Sequence, residues 1–181
     1  LAGALAGLSL VLVLQAPAAW LSGWVGHWTG GRLLLEDPRG TVWTGSARWT
    51  LTGGAGSLDR TSLPDRLAWK LRPDLSGLRL ELHAPCCTPS ALRLHASPHW
   101  AGARLRVLNP VTSEPDAVAE GPATLLTGLG APWNTLELDG RLTLKTRDLI
   151  LDCTGGRLRI EGSAELTARD LASRLSTLRP I

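Results

Sequence analysis

The sequence predicts a mainly β chain: a single N-terminal transmembrane helix followed by a curved antiparallel β-sheet or half-barrel meander with one or two short helices. Three observations lead there. No charged side chain occurs from Leu1 to Gly26, apolar and polar residues then alternate at a period of two, and Gly, Pro, Asn and Asp interrupt the alternation at near-regular intervals.

The run Leu5 to Leu14 is almost purely aliphatic. A helix needs roughly 20 apolar residues to cross ~30 Å of hydrocarbon, and Leu1 to Trp20 has that length. Trp20, Trp24 and Trp28 follow at a spacing of four, which places three indoles on one helical face, as in an aromatic belt at the headgroup layer. Residues 1–28 therefore read as a membrane anchor with a tryptophan belt, and residues 32–181 as an exported β-rich domain. Ala16-Pro17-Ala18-Ala19 offers small residues for a cleaved signal peptide as the alternative. Either reading sends Arg32 to Ile181 across the membrane. With no Met in the sequence, the natural start is expected upstream of Leu1.

From Thr41 to Leu51 the odd positions hold Trp43, Gly45, Ala47, Trp49 and Leu51 against polar even positions, the pattern of a half-buried strand. Gly53 to Ser57 breaks it, Leu67, Trp69 and Leu71 resume it, and Pro73 ends it. Alternation continues at Leu78 to Leu82, at Leu92 and Leu94, and at Leu105 and Val107, with turn residues between the runs. Val118 to Leu129 predicts one short helix opened near Pro122 and closed by Gly128 and Gly130. Leu136 to Leu144 alternates again around Asp139-Gly140, a hairpin turn or a bulge. Two further strands are expected on Leu149 and Leu151 and on Leu158 and Ile160, and a terminal helix over Thr167 to Leu178, where Leu171, Leu175 and Leu178 have helical spacing. A sheet with one apolar face must curl or gain a second layer, and two short helices are too few to cover it.

Leu supplies most of the bulk, because Phe, Tyr and Met are absent and eight Trp are the only aromatics. The net charge of +3 is spread along the strands, which argues against a nucleic-acid surface, where cations concentrate in a patch. No nucleophile elbow, phosphate loop, zinc-protease motif or dinucleotide fingerprint occurs. The carboxylate pairs Glu36 with Asp37, Asp148 with Asp152, and Glu161 with Glu165 lie on polar faces or in turns, where solvation explains them. His83, Cys86, Cys87, His95 and His99 mix imidazole and thiol, but the histidines alternate out of phase with the apolar positions, so no metal and no cofactor are expected. For Cys86, Cys87 and Cys153, an exported location predicts one disulfide and one thiol left over. The phase of their strands favours Cys86 with Cys153. Cys87 with Cys153 is nearly equivalent, and an adjacent Cys86 to Cys87 bridge is the third arrangement.

The segments Pro17 to Trp20, Gly40-Thr41-Val42-Trp43-Thr44-Gly45-Ser46-Ala47 and Leu67-Ala68-Trp69-Lys70-Leu71-Arg72-Pro73 occur in that order. Leu126 to Pro132 and Leu175 to Leu178 complete the series. Together they resemble type II secretion system protein N, also called general secretion pathway protein N. Gly40, Trp43, Gly45, Trp49, Trp69, Leu71 and Pro73 are the motif and core positions. The resemblance implies a single-pass protein of the bacterial inner membrane, its amino terminus cytoplasmic and its carboxyl-terminal domain periplasmic. The implied partners are other subunits of the inner-membrane platform, with the secretin as a further one. It also implies more alternating strands beyond Ile181.

Two classes of function follow: a non-enzymatic assembly subunit acting through sheet edges, or a module that shields lipid acyl chains in a leucine-lined concavity. They differ in whether the protein's own side chains fill the apolar face. Trp43, Trp49 and Trp69 share the apolar phase and are expected to form one indole-rich core patch.

Overall fold

The computed structural model describes residues 7, 11–100, 102–108, 117–136, 138–154 and 157–173. Among them the alternating segments pair into one antiparallel sheet. Its strands are β1 (Leu33–Gly40), β2 (Thr44–Thr52), β3 (Arg60–Asp74), β4 (Gly77–His83), β5 (Leu92–His99), β6 (Gly102–Leu108), β7 (Ala117–Pro122), β8 (Leu138–Thr154) and β9 (Arg157–Ser173). The order is β1-β2-β3-β4-β5-β6-β8-β7, and β9 lies on the other side of β8. β6 pairs with the carboxyl half of β8, from Ile150 to Thr154, while β7 pairs with its amino half, from Arg141 to Lys145. The strands up to β6 form the expected meander.

Register sorts the side chains. Leu71, Leu80, Leu94 and Val107 stand opposite one another across β3 to β6, one residue away from the row Arg72, Arg79, His95 and Arg106. Side chains alternate between the two faces of a strand, so one face of the sheet is aliphatic and the other is rich in arginine.

Four elements differ from expectation. β1 has no alternation to announce it: Leu33-Leu34-Leu35 is a continuous apolar run, and a bulge between Glu36 and Arg39, with Asp37 at φ 49°, interrupts the rest. Asp139-Gly140 is a bulge within β8, one of the two forms expected there, whereas Leu149 and Leu151 continue β8 through a second bulge at Asp148 instead of starting a new strand. The Thr167 to Leu178 helix is replaced, up to Ser173, by β9, because pairing along β8 outweighs the local leucine spacing. Residues 174–178 lie outside the described residues. Finally, Val118 to Leu129 divides into β7 and a 3₁₀ helix at Ala123–Leu129, followed by a short helix, Trp133–Leu136.

At the amino end residues 11–14 are helical, and the helix stops before Pro17, whose backbone is extended and bridges Thr41. Proline disfavours a helical residue before it, so a separate helix, α1 (Ala18–Trp28), starts immediately afterwards. Ala18, Leu21 and Val25 of α1 pack on Leu35, Ala47 and Trp69, the first of two core clusters. Leu67, Ala84 and Cys87, with Trp49 and Leu63 beside them, form the second, and Leu82 touches both. Trp69 and Trp49 thus belong to different clusters. The expected single indole patch is not formed: Trp43 lies in the β1–β2 loop, and Trp69 stands opposite Gly45, four residues along β2 from Trp49. Among the described residues no helix is long and apolar enough to cross a membrane; residues 1–6 and 8–10 of the expected span lie outside them.

Candidate functional site

The motif residues build a clasp around the exit of the amino-terminal segment. Gly40, at φ +86°, turns the chain out of β1 into the Thr41 to Trp43 loop. The Val42 N–H donates to the Ala16 carbonyl at 2.8 Å, and the Trp43 indole N–H donates to the Val13 carbonyl at 2.8 Å. From the neighbouring strand, the Trp69 indole N–H donates to the carbonyls of Val42 at 3.0 Å and Thr41 at 3.3 Å. The Leu71 N–H donates to the Trp43 carbonyl at 2.7 Å. Pro73, near the end of β3, is exposed. These bonds tie residues 13–17 and the sheet into one unit.

α1 then presents its outer face. Trp20, Trp24 and Trp28 are 62%, 60% and 73% exposed, and the last two lie 5.4 Å apart between ring centroids with their planes tilted by 41°. The spacing of four does gather three indoles on one face, beside the stripe of Ala18, Leu21 and Val25 that packs on the sheet. Val11 to Leu14 are also exposed.

The aliphatic face of the sheet encloses an apolar groove of about 450 Å³. Trp49, Leu63 and Leu82 from β2 to β4 line one side, and Leu142, Leu144 and Leu166 from β8 and β9 line the other. Strands so far apart in the order meet around one space only if the sheet bends toward this face. The 3₁₀ helix contributes Leu125 and Leu126 to the wall. Gly128 holds it close to β2 and β3, since a Cβ there would come within 2.8 Å of the Leu51 carbonyl. A hydrogen bond of 2.7 Å from the Glu120 N–H to the Cys87 carbonyl connects β7 to the turn after β4.

That turn carries the disulfide. Cys86 pairs with Cys87 and Cys153 is a free, exposed thiol, so the expected bridge to Cys153 is not formed. β5 and β6 separate β4 from β8, and three strand spacings of about 4.8 Å exceed the reach of a disulfide. Cys153 keeps the apolar phase, opposite Ala103 and Leu158, at an uncovered part of that face. Alkylation before and after reduction is expected to label Cys153 first and Cys86 and Cys87 only after reductant. A peptide linking Cys153 to either would contradict the pairing.

The candidate acids and histidines are dispersed. Glu36 accepts from the Thr50 hydroxyl at 2.9 Å, and Asp37 is paired with Arg66 at 2.8 Å. Asp148 sits in a bulge, and Glu165 accepts from Thr167. Asp152 binds Arg104 at 2.7 Å and shares a polar depression on the arginine-rich face with Arg157, Arg159 and Glu161. His83 meets the Thr88 hydroxyl, His95 meets Ser76 and Asp74, and His99 meets Thr154. Among the described residues no three His, Cys, Asp or Glu side chains are placed to hold a metal ion.

The hydroxyl and N–H of Ser76 hold the Asp74 carboxyl well below its ordinary value of 3.8, with His95 adding to the effect. Hydrogen bonds from Arg66 to Asp37 and from Thr154 and Arg104 to Asp152 act in the same direction. A carboxyl depressed in the folded state stabilises the fold above its unfolded value and loses that contribution as pH falls below it. The urea midpoint is therefore expected to drop on acidification below about pH 4, and Ser76→Ala should reduce the drop. An unchanged acid limb in the variant would remove Asp74 from the explanation.

The described residues thus form one bent antiparallel sheet with an apolar groove on its aliphatic face and β9 at one side of β8. Residues 31–181 match the family model described as type II secretion system (T2SS), protein N. The chain belongs to that family and is a component of the type II secretion machinery. No curated protein and no solved structure matches it.

Proposed function

We propose that this chain is a non-enzymatic inner-membrane subunit of the type II secretion machinery whose sheet, residues 32–181, stands in the periplasm and joins neighbouring subunits by strand addition at β9. The observation that carries the reading is β9 itself. It is 17 residues long, pairs only with β8 among the described strands, and exposes Leu158, Ile160, Leu166 and Leu171. Its outer N–H and C=O groups pair with no other described strand, and an edge of that kind templates another strand. A partner strand would satisfy these groups and cover the leucines together. The tryptophan face of α1 supports membrane placement, since indoles favour the headgroup layer, and the clasp at residues 40–45 would then fix the angle between anchor and sheet. Other subunits of the inner-membrane platform are the partners this edge fits, with the secretin as a second reach.

Photo-crosslinking residues placed singly at Arg159, Thr167 and Arg169 in the assembled machinery test the reading. Adducts to another secretion subunit are expected along β9. Adducts absent from β9 but present on the exposed faces of β1 or α1 would assign the contact elsewhere.

A further inference from the structure

We infer that the apolar groove holds one acyl chain of a membrane phospholipid whose headgroup stays in the bilayer. The lining has almost no hydrogen-bonding capacity to offer. The Thr61 hydroxyl is engaged with Thr127 at 2.9 Å, the Thr88 hydroxyl donates to the Ala84 carbonyl at 3.1 Å, and the Cys87 carbonyl accepts from Glu120 N–H at 2.7 Å. An inserted peptide strand or loop would strand its own N–H and C=O groups there, whereas a hydrocarbon chain has none to satisfy.

Charge selects the source of the chain. Among the described residues no Lys or Arg lines the groove, and the one charged residue there is the carboxylate-bearing Glu120. A free fatty acid would bring its carboxylate to a site that lacks a cation and already carries an anion. A phospholipid chain enters without its head. The route is also apolar: Leu82 lines the groove and packs on the cluster beneath α1, whose outer face carries Trp20, Trp24 and Trp28. A volume of about 450 Å³ lies at the lower end of the range of pockets that enclose small ligands, roughly 300 to 1,000 Å³.

The inference goes beyond strand addition at β9 and leans on the proposed membrane placement only for the source of the lipid. One experiment reports the two separately. The full chain is incubated with phosphatidylethanolamine and phosphatidylglycerol vesicles containing a phosphatidylcholine with a diazirine midway along one acyl chain, and adducts are mapped by mass. Adducts on Leu63, Leu82 or Leu144 are expected, while adducts on Trp20 to Trp28 report the membrane contact of α1 alone. Ala119→Leu and Leu63→Phe fill the groove, and each methylene displaced should lower groove labelling about fourfold with α1 labelling unchanged. Should one variant fail to fold, the other and the wild-type map decide. Labelling confined to α1 and Val11 to Leu14 would overturn the inference. So would groove labelling undiminished in both filled variants, groove leucines crosslinked to a second copy of the chain, or labelling by a diazirine fatty acid but not by the phospholipid.

Discussion

Trp69→Ala is expected to lower the stability of the fold by about 3–5 kcal/mol, a large share of the 5–15 kcal/mol that holds a typical domain together. Trp69 is 3% exposed and sits between α1 and the sheet, on Ala18, Leu35 and Ala47. Truncation leaves a cavity beneath α1 and removes the donor to the Thr41 and Val42 carbonyls, so packing and hydrogen bonding fail together. Trp69→Phe keeps most of the ring and should recover most of the loss. Urea unfolding followed by circular dichroism measures both. A cost below about 1 kcal/mol for the alanine variant would mean that α1 does not depend on this contact.

Gly45→Ala is the second large effect, and it arises from added volume. A Cβ at Gly45 would stand 2.5 Å from Trp69 Cζ2 and 2.6 Å from the Arg39 carbonyl, so the indole or the β1–β2 loop must move. Overpacking of this kind costs about 1–3 kcal/mol. Because one of the collisions is with Trp69, the double variant Gly45→Ala with Trp69→Ala should be less destabilised than the sum of the two. Strict additivity would show that the backbone contacts alone set the cost.

The meander was legible because consecutive strands pair from β2 as far as β6 and keep one apolar phase, as at Leu67, Trp69 and Leu71. Legibility failed where the phase moved. β8 carries its leucines at even positions, Leu142 and Leu144, and at odd ones, Leu151 with Cys153, after the bulge at Asp148. A phase change of that kind looks the same in sequence as a turn between two strands. β1 was missed because a run of three leucines has no period at all. The last leucines suggested a helix because Leu171, Leu175 and Leu178 follow at spacings of four and three, and nothing local reveals that β8 offers a 17-residue partner.

The candidate site divides in the same way. The Trp20, Trp24 and Trp28 face was legible, since helical spacing fixes a face whatever the helix rests on. The role of Gly40 to Gly45 as a clasp was not, because it depends on residues 13–17 returning to the β1–β2 loop. The groove could not be read either. Leucines at every inward position build a filled core or an open one, and the bend of the sheet decides which. For the cysteines, parity correctly left one thiol over. The pairing depended on strand order, which places two strands between Cys86 and Cys153.

The place of β8 in the sheet has a consequence for the order in which the structure forms during synthesis. Strands β2 to β6 each close against their predecessor, so every new hairpin needs only a short loop and forms soon after its residues emerge. β7 does not pair with β6: β8 pairs with both, and to reach β6 it must close a loop that already contains β7 and the 3₁₀ helix. Pairing of Leu105 with Leu151 is therefore the slow, long-range event, and it is the step that brings the two walls of the groove together. Until it occurs, the six-stranded amino-terminal part exposes its leucines to water. Growth of a slow kinetic phase in refolding when the 109–116 connection is lengthened would mark that closure as rate-limiting.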